Sequence, residues 1–331
     1  MLVGGQDPLA GRNPSVLLAG CGSIGRRHAR VLRELGVREL WICDPSAAQR
    51  EALRAETPVT REFDSYEAAL RGKPEAVFIL TPPHLHIPMA IQALKAGCHV
   101  FCEKPLSDRL EGLDDLEREI RTSGRIFMLG LCFRYHQGLL EAKALLDGGR
   151  IGRLVAIRAM LGEPLPEIRP DYKTLFTAQE VGVFDLVHEI DLALWFGGQR
   201  VRRVACVRGP YSDIGIAAPD VAEILVDFED RCLASIHLDF FQHPRRRQLE
   251  LMGTSGCVTV EFARWDGCTI SLYAGRERGW EVRELATQRD DMFRDENREF
   301  LDAIKGGRPV RYGLEEGRRA LEVVLSAQAA G

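Results

Sequence analysis

Hydrophobic positions follow two different patterns along the chain, and the change falls near residue 133. Up to about residue 130, short apolar runs rich in β-branched residues alternate with amphipathic stretches. This alternation is typical of parallel βαβ units. It predicts five strands, Val16–Ala19, Glu39–Cys43, Ala76–Leu80, His99–Cys102 and Ile126–Leu129, and four helices, Ile24–Leu35, Ser65–Arg71, His86–Ala96 and Asp108–Ser123.

After residue 133 the chain is mostly a succession of strand patterns. A helix (Leu139–Leu146), a strand (Leu154–Leu161) and a second helix (Phe184–Phe196) come first, and two helices (Asp291–Lys305 and Leu314–Ala329) end the chain. Between them lie seven predicted strands, Val201–Arg208, Ala222–Phe228, Cys232–Phe240, Gln248–Met252, Val258–Phe262, Thr269–Tyr273 and Trp280–Leu285. Successive strands without intervening helices indicate an open, mostly antiparallel sheet.

Together the two patterns predict an α/β protein with two domains. The first is a doubly wound parallel sheet of the Rossmann type, and the second is an α/β domain with an open, mostly antiparallel sheet. A length of 331 residues suits two cores rather than one. We place a flexible lead-in at residues 1–13, the first domain at residues 14–133 and the second at residues 134–331.

Composition and charge narrow the range of partners. The chain carries 44 basic and 48 acidic residues, well mixed, for a net charge of -4, and this balance does not favour nucleic acid or an anionic membrane. No apolar run approaches the roughly 18 residues of a membrane span, and the first residues lack the pattern of a signal peptide. The nine cysteines are scattered and odd in number. This usage is typical of a reduced, cytoplasmic protein.

The histidines and cysteines do not predict a metal site. Cys98 and Cys102 point to one face of a strand and His99 points to the other, so their side chains do not converge. The same holds for His84 and His86 in the segment TPPHLH. We expect buried, small hydrophobic roles for the cysteines and no metal ion.

A glycine-rich turn follows the first predicted strand and opens the first helix. Gly20, Gly22 and Gly25 fit the pattern G-x-G-x-x-G in the context that dinucleotide binding requires. The helix N-terminus presents free N–H groups to a pyrophosphate. Asp44 ends the second strand, nineteen residues after Gly25, where a carboxylate can accept both ribose hydroxyls. The sequence therefore predicts NAD, with NADP disfavoured because its 2′-phosphate would face Asp44.

Two further segments end parallel strands, where a doubly wound sheet binds its ligands. Thr81 and Pro82 follow the third predicted strand, and they either border the cofactor or form a simple turn. Glu103 and Lys104 follow the fourth, and Pro105 restricts the chain just beyond them. A lysine held at this edge can donate a hydrogen bond to a substrate oxygen.

The segment VGVFDLVHEIDLALWFGG holds a third group of candidates. Asp185, His188 and Asp191 are spaced by three residues, so we expect them on one face of the predicted helix. A histidine beside a carboxylate can act as a general base near neutral pH. Taken alone, the same spacing is also common in surface pairs and in hydrogen-bonded core pairs.

As a set, these segments resemble the Gfo/Idh/MocA oxidoreductases, the family of glucose–fructose oxidoreductase and inositol dehydrogenase. The resemblance extends from about residue 14 to the end of the chain. It rests on GCGSIGRRH, TPPHLH, EKP, the HEID helix and ENREFLDAIKGGRPV. It is strongest to a subgroup associated with surface sugars that reads DLSHEID, with which the chain also shares FRYH and GRIG; Val187 replaces the serine. The acid and the histidine are three residues apart here and four in many members.

The resemblance implies a Rossmann domain that binds the cofactor and an α/β domain whose open sheet forms a dimer or tetramer. It implies that Lys104 holds the reacting oxygen, that His188 takes the hydroxyl proton and that Asp185 orients or tunes the histidine. The residues that we expect to hold the cofactor are Gly20, Gly22, Ser23, Ile24, Gly25, Asp44, Thr81, Pro82, His86, Glu103 and Lys104.

The substrate side of the sequence is less distinctive. Candidates are Arg134, Tyr135 and His136 after the last Rossmann strand, Tyr172 and Lys173 before the site helix, and His243 with Arg245–Arg247 at a strand end. A basic cluster of this kind either holds a carboxylate or phosphate, or forms a solvated edge that discourages sheet-to-sheet pairing.

These observations predict an NAD-dependent oxidoreductase acting on a secondary hydroxyl of a sugar, a sugar derivative or a cyclitol. Its partner is then a small carbohydrate-like molecule, with no role for nucleic acid or membrane. Two alternatives stay open. One is a reductase of another carbonyl or conjugated substrate, similar to biliverdin reductase or dihydrodiol dehydrogenase. The other is a sensor that binds NAD without turnover.

Overall fold

The computed structural model describes residues 13–175, 181–198, 200–275 and 279–330. These residues form two compact units that do not follow each other simply along the chain. The first unit contains residues 13–132 and 290–321, and the second contains residues 133–289 and 322–330, within the described ranges.

The first unit is built on a parallel sheet of six strands. The strands are β1 (Val16–Ala19), β2 (Leu40–Cys43), β3 (Arg61–Phe63), β4 (Ala76–Ile79), β5 (His99–Glu103) and β6 (Phe127–Gly130). Their order across the sheet is β3-β2-β1-β4-β5-β6, which is the Rossmann order. The direction in which successive strands are added to the sheet reverses between β1 and β4, and this is where such sheets bind dinucleotides. The predicted doubly wound sheet is confirmed.

Five helices connect these strands, and a sixth comes from the far end of the chain. They are α1 (Ser23–Glu34), α2 (Ala47–Glu56), α3 (Tyr66–Arg71), α4 (His86–Lys95), α5 (Leu113–Ser123) and α10 (Asp291–Gly306). Strand β3 and helix α2 were not predicted. β3 has only three residues, none fully buried, and Leu53 is the one buried residue of α2, so neither carries a clear apolar pattern.

Helix α10 completes the core of the first unit. Phe300 packs edge-on against the stacked rings of Phe78 and Phe101, with centroids 5.3 and 5.8 Å away. Phe293 packs against His28 of α1 at 5.6 Å. The sequence division placed all of residues 134–331 in one domain, whereas the structure packs residues 290–321 with the first unit. The physical reason for this difference is the aromatic cluster. Phe78 on β4 and Phe101 on β5 need a further apolar side chain packed on them, and Phe300 of α10 supplies it.

The second unit contains a sheet of eight strands. They are β7 (Leu154–Gly162), β8 (Val201–Gly209), β9 (Val221–Phe228), β10 (Cys232–Asp239), β11 (Arg246–Gly253), β12 (Gly256–Glu261), β13 (Gly267–Ala274) and β14 (Glu281–Ala286). Their order is β14-β13-β12-β11-β7-β10-β9-β8. Only the central β7–β10 pair is parallel, so the predicted, mostly antiparallel sheet is confirmed.

Helices cover one face of this sheet. They include α6 (Gln137–Asp147), which packs on β12 and β13, and α9 (His188–Gly197), which packs on β7 and β10. Two short helices, α7 (Leu165–Ile168) and α8 (Tyr172–Leu175), follow β7, and α11 (Leu314–Ala329) ends the chain. Along β9 and β10, residues on the helix side are buried, while Leu225 and Leu233 on the other face are exposed. Among the described residues, no helix is both long and apolar enough to cross a membrane.

Candidate functional site

The glycine turn between β1 and α1 has the close packing that its sequence predicted. Gly20 has φ +109°, and a Cβ there would lie 2.6 Å from the carbonyl oxygen of Leu80. A Cβ at Gly25 would collide with the carbonyl oxygen of Gly20. Gly22 differs, because a Cβ at this position would meet nothing within 4 Å. The first and third glycines therefore allow the turn to close, while the second leaves its backbone open to a ligand.

This open backbone fits the pyrophosphate of a dinucleotide. Helix α1 begins at Ser23, and its first turn, which includes Ile24, holds no acidic side chain. Ser23 is exposed and Ile24 is half-buried. The unshared N–H groups of a helix start and its positive dipole end favour an anion here.

Asp44 lies beside this turn. Its Oδ2 accepts the backbone N–H of Cys21 at 2.9 Å, and its Oδ1 accepts that of Ser46 at 2.8 Å. The carboxylate is therefore fixed at the carboxyl end of β2, which is the position that recognises an adenosine ribose in this fold. Arg50, a nearby cation, forms an ion pair with Glu62 at 2.7 Å. Which dinucleotide Asp44 selects stays a prediction.

His86 links the two loops that follow β4 and β5. Its Nε2 lies 2.7 Å from the carbonyl oxygen of Thr81, and its Nδ1 lies 2.8 Å from that of Pro105. Burial lowers the pKa of the imidazole, while the two carbonyl acceptors act in the opposite direction. The side chain is buried, and its two hydrogen bonds connect the two loops. Thr81 is half-buried and Pro82 is exposed, and direct cofactor contacts of all three residues stay predictions.

Glu103 and Lys104 lie where β5 ends. Glu103 Oε2 accepts the backbone N–H of Lys104 at 2.9 Å, and Oε1 lies 3.1 Å from Nε2 of the buried His28. Glu103 is buried and Lys104 is half-buried. The carboxylate therefore anchors the backbone from which the lysine projects.

In the second unit, Asp185 and His188 do not share one helix, and the prediction of a continuous helix over Phe184–Phe196 is wrong. Asp185 ends a 3-10 turn that spans Gly182–Asp185, whereas His188 begins α9. The N–H of Val183 donates to the carbonyl oxygen of Pro219 at 2.8 Å. A Cβ at Gly182 would collide with that same oxygen. Contact with Pro219 thus holds the turn out of the helix. Both Asp185 and His188 are half-buried.

Two buried ion pairs hold the first turn of α9. Glu189 accepts from Nε of Arg247 at 2.6 Å, and Asp191 accepts a bidentate pair from Arg134 at 2.7 and 3.0 Å. All four side chains are at most 4% exposed. Asp191 therefore points into the core of the unit and does not extend a row with His188. Burial raises the pKa of Glu189 despite its cationic partner.

An aromatic layer lies against His188. The ring of Phe133 meets the imidazole edge-on at 4.8 Å, and the Arg247 guanidinium lies 3.6 Å from the centroid of Phe133. His136 stacks loosely on Phe133, and burial together with Arg247 lowers the pKa of His136 to about 4. His136 is therefore neutral near pH 7.

Two of the predicted substrate residues, Arg134 and Tyr172, have hydrogen-bond partners within the second unit, and two others are buried. Arg134 is paired with Asp191, and Tyr135 and His136 are buried. Tyr172 is also buried, and its hydroxyl donates to the carbonyl oxygen of Ile214 at 2.6 Å. Their contacts with substrate stay predictions.

The basic cluster at the start of β11 is also internally paired. Arg245 forms an ion pair with Glu163 at 3.1 Å, and Arg247 forms one with Glu189. Arg246 and His243 are exposed. Two of the arginines in this cluster therefore have carboxylate partners within the unit, and both alternatives for the cluster as a whole stay predictions.

Sequence reasoning missed His28 and Arg247 as partners of the candidate residues. Glu189 and Asp191 lie in the otherwise apolar segment HEIDLALWFG, and charged residues in such a helix need buried partners. The two acidic residues in an apolar helix therefore indicate that cationic partners exist, but they do not identify which arginines are the partners. His28 carried no comparable signal, because GRRHARVL is an ordinary amphipathic helix.

Comparisons with known proteins agree with the fold and the motifs. Residues 15–131 match a model of the oxidoreductase family with an NAD-binding Rossmann fold, and residues 139–259 match the GFO/IDH/MocA C-terminal domain. Together the two models account for most of the chain.

Relatives of named activity cover most of the chain. A 2,7-anhydro-N-acetylneuraminate hydratase from Mediterraneibacter gnavus is 27% identical over 88% of this chain and 79% of its own length. A myo-inositol 2-dehydrogenase from Thermotoga maritima is 24% identical over 93% of each. The crystal structure of myo-inositol 2-dehydrogenase from Lactobacillus plantarum superposes with a TM-score of 0.83 at 25% identity, over 96% of this chain and 97% of the other. The chain therefore belongs to the Gfo/Idh/MocA family of NAD-binding oxidoreductases.

Proposed function

We propose that this protein is an NAD-dependent dehydrogenase of a secondary hydroxyl in a sugar, a sugar derivative or a cyclitol. The observation that carries the proposal is the anchored Glu103-Lys104 pair at the carboxyl end of β5, in the same parallel sheet as the open glycine turn. Parallel strands present their carboxyl ends at one edge, so a lysine held there is suited to a substrate oxygen beside a bound cofactor. The relative named myo-inositol 2-dehydrogenase supports the cyclitol class.

Each candidate residue has a distinct role in this proposal. The backbone from Gly20 to Gly25 holds the pyrophosphate, and Asp44 accepts the ribose hydroxyls. When bound, the nicotinamide supplies the hydride acceptor. Lys104 donates a hydrogen bond to the reacting oxygen, His188 removes the hydroxyl proton, and Asp185 orients the imidazole. In this proposal the charged side chain of Lys104 contacts the substrate, and that of Asp44 contacts the cofactor.

The Lys104→Ala variant tests the proposal. We expect NADH binding within threefold of wild type and turnover of myo-inositol, scyllo-inositol or levoglucosan lower by about two to four orders of magnitude. Cofactor binding is measured by fluorescence titration and turnover by NADH absorbance. Lys95→Ala, which removes an exposed lysine of the same unit, is the matched control. Turnover within a few fold of wild type in Lys104→Ala would exclude the lysine from the reaction, and NADH binding without turnover of any polyol by wild type would favour a sensor.

We propose NAD rather than NADP as the cofactor because Asp44 would face the 2′-phosphate at close range. Its carboxylate is already fixed by two backbone N–H groups, so it cannot turn away without losing them. NADH should bind at least about tenfold more tightly than NADPH. The Asp44→Asn variant should reduce this preference, while Asp64→Asn, at a neighbouring exposed carboxylate, should keep it. Equal affinities of wild type for both cofactors would contradict the assignment.

A second candidate is a reaction without net oxidation. The relative named 2,7-anhydro-N-acetylneuraminate hydratase supports it, since its match covers 88% of this chain. NADH accumulation separates the two candidates. A dehydrogenase releases one NADH for each product molecule, whereas a hydratase forms product with no net change in NADH.

The uncovered face of the second sheet supports a proposal about assembly. Leu225 and Leu233 are each 47% exposed there, opposite Ser235 and Ala156 respectively on the neighbouring strands. We propose that a second copy of the chain covers this face in a homodimer or tetramer, which light scattering of the purified protein measures. We also propose a cytoplasmic location, because none of the nine cysteines forms a disulfide bond and eight of them are buried.

A further inference from the structure

A group of polar side chains lies inside the first unit, behind the strand that ends at Glu103. His28 of α1 and both Glu296 and Asn297 of α10 are 0% exposed, and Glu103 is 8% exposed. The imidazole is surrounded by Phe78, Phe101 and Phe293, with ring centroids 5.2–5.6 Å away. Polar groups in such surroundings are costly unless they form directed hydrogen bonds.

The hydrogen bonds of this group lead to Lys104. Asn297 Oδ1 lies 3.1 Å from Nδ1 of His28, and Nε2 of the same ring lies 3.1 Å from Oε1 of Glu103. The other carboxylate oxygen, Oε2, accepts the backbone N–H of Lys104. We propose that His28 positions Lys104 by fixing the Glu103 carboxylate. His28 is then a positioning residue, and the proposal rests on the proposed function only in giving Lys104 a role in catalysis.

Geometry favours this role over simple packing. A phenylalanine at residue 28 would fill the same aromatic cavity without burying two ring nitrogens. What the histidine adds is two ring nitrogens, one facing the Asn297 amide and one facing the Glu103 carboxylate. With Nε2–H donated to Glu103, Nδ1 accepts from the Asn297 amide when that amide is turned to present Nδ2, which otherwise has no partner among the described residues. A carboxylate held on one oxygen has little freedom to turn, so its second oxygen stays aimed at the Lys104 amide.

The same group has the spacing of a metal site, which is the main competing explanation. Ligand atoms of His28, Glu103 and Glu296 lie within 4.8 Å of one another. Neither oxygen of Glu296 has a hydrogen-bond partner among the described residues. Burial and the charge of Glu103 raise the pKa of Glu296 well above its usual value, which favours a neutral carboxyl, and metal ligands must be deprotonated. Hydrogen bonds account for His28, Glu103 and Asn297, whereas Glu296 is the member of the cluster that a metal ion would have to engage.

Two substitutions at residue 28 separate the two hydrogen bonds. The amide nitrogen of Gln is as many bonds from Cα as Nε2 of His, so His28→Gln can still donate to Glu103. The amide nitrogen of Asn corresponds in the same way to Nδ1, so His28→Asn keeps only the side that faces Asn297. If His28 positions Lys104 through Glu103, His28→Gln should preserve the hydrogen bond to the Glu103 carboxylate, and His28→Asn should break it.

The readout is hydrogen exchange of the Lys104 backbone amide, followed by NMR on the full-length protein. We expect exchange at least about tenfold faster than wild type in His28→Asn and within threefold of wild type in His28→Gln, since opening of this amide follows the local hydrogen bond. The Phe101 amide, inside the β5 ladder, should change less than threefold in both variants. Glu296→Gln, a shape-conserving change in the same cluster, should leave the Lys104 amide unchanged.

Three results would overturn the proposal. Lys104 exchange in His28→Asn could equal that of wild type. The Lys104 and Phe101 amides could lose protection together, which would indicate a structural role only. A stoichiometric metal ion could be found in the purified protein by plasma mass spectrometry, with loss of the ion in Glu296→Gln; His28 would then be a ligand.

Kinetics connect the positioning to catalysis. In the wild-type background, His28→Asn should lower kcat about tenfold or more, counted per NADH-binding site, with KM and NADH affinity changed less than threefold. In the Lys104→Ala background the same substitution should change the residual rate less than twofold, because the group that it positions is gone. Full turnover of Lys104→Ala alone would refute the proposed function and leave the exchange result standing. A tenfold loss from His28→Asn that persists without Lys104 would refute the positioning role.

Discussion

At the scale of single residues, His188 is held mainly by what surrounds it. It begins α9, and the ring of Phe133 lies edge-on against it at 4.8 Å. Phe133 is itself fixed by Arg247, whose guanidinium lies over the ring and pairs with Glu189. Arg247 therefore links Glu189, the residue after His188, to Phe133, the ring that packs on His188. An imidazole held in this way needs little reorganisation to accept a proton.

A pH dependence of oxidation should follow from the base role of His188. In the role proposed for it, the imidazole must be neutral before it can take a proton, so kcat/KM should rise with pH through one ionisation. His188→Ala should abolish this rise and lower kcat/KM by about a hundredfold or more, as measured by initial rates over the pH range. His188→Asn should keep substrate binding, because its amide still forms a hydrogen bond.

His237→Gln, on the uncovered face of the second sheet, is a suitable control and should keep the pH profile of wild type. If the rise with pH persists unchanged in His188→Ala, the role of base passes to Lys104.

Which residues the sequence could predict depends on the distance between partners along the chain. Asp44 and the glycine turn lie within 23 residues of each other and follow a local pattern, so their placement was predictable. His28 meets Asn297 across 269 residues, and Glu189 meets Arg247 across 58. A buried charge signals that a partner exists, but hydrophobic periodicity does not identify it.

At the scale of elements, periodicity predicted most helices and strands and failed where a distant contact overrides it. β1 matches the predicted bounds, and α11 does too. The segment Phe184–Phe196 was predicted as one helix, yet its first residues end a 3-10 turn, Gly182–Asp185, and α9 begins only at His188. The cause is the hydrogen bond that the N–H of Val183 donates to the carbonyl oxygen of Pro219. The local sequence pattern does not predict this contact.

Sheet pairing also creates a charged site that affects stability. His237 on β10 lies between Asp239, at 2.9 Å, and Glu223 on β9, at 2.6 Å. The hydrogen bond that His237 donates to Asp239, with a second donated to Glu223, raises the pKa of His237 to about 9. Folding therefore favours the charged imidazole. This contribution to the free energy of unfolding is fully present below about pH 6.5, the ordinary value for histidine, and is lost as the pH rises to about 9.

We expect the free energy of unfolding to decrease between pH 6.5 and 9 by about 1–2 kcal/mol from this residue, a value reduced for its partial exposure. In His237→Gln this part of the decrease should be absent. Urea unfolding at pH 6, 7.5 and 9 measures it, with His243→Gln, at an exposed histidine, as the control. Equal slopes in wild type and His237→Gln would show that the two carboxylates do not hold the charged form.

At the scale of the whole molecule, the chain does not divide at a single point. Residues 290–321 belong to the first unit, although about 160 residues of the second unit separate them from residue 132. The pattern of hydrophobic positions shows where alternating strands and helices give way to successive strands. The change near residue 133 was therefore predictable. The return of α10 was not, because its apolar face fits any uncovered core equally well until the partner surface is known.

This return predicts the behaviour of a fragment that ends at the linear boundary. Residues 1–133 lack α10, and with it Phe300, whose ring covers Phe78 and Phe101. The fragment should therefore expose a large apolar surface and aggregate or fail to fold cooperatively. It should also bind NADH far more weakly than the full chain. Near-ultraviolet circular dichroism, thermal unfolding and NADH fluorescence measure these properties.

Restoring the missing segment should restore the unit. Residues 290–321, joined to residue 133 by a flexible Gly/Ser linker, should give cooperative unfolding and NADH binding within about tenfold of the full chain, because the linker only replaces the intervening residues. The same fusion carrying Phe300→Asp is the matched control and should fail, since a charge cannot enter the aromatic cluster. If residues 1–133 alone unfold cooperatively and bind NADH as the full chain does, α10 is an addition to a complete Rossmann core. Failure of the fusion together with the fragment would instead show that the first unit depends on the second for its folding.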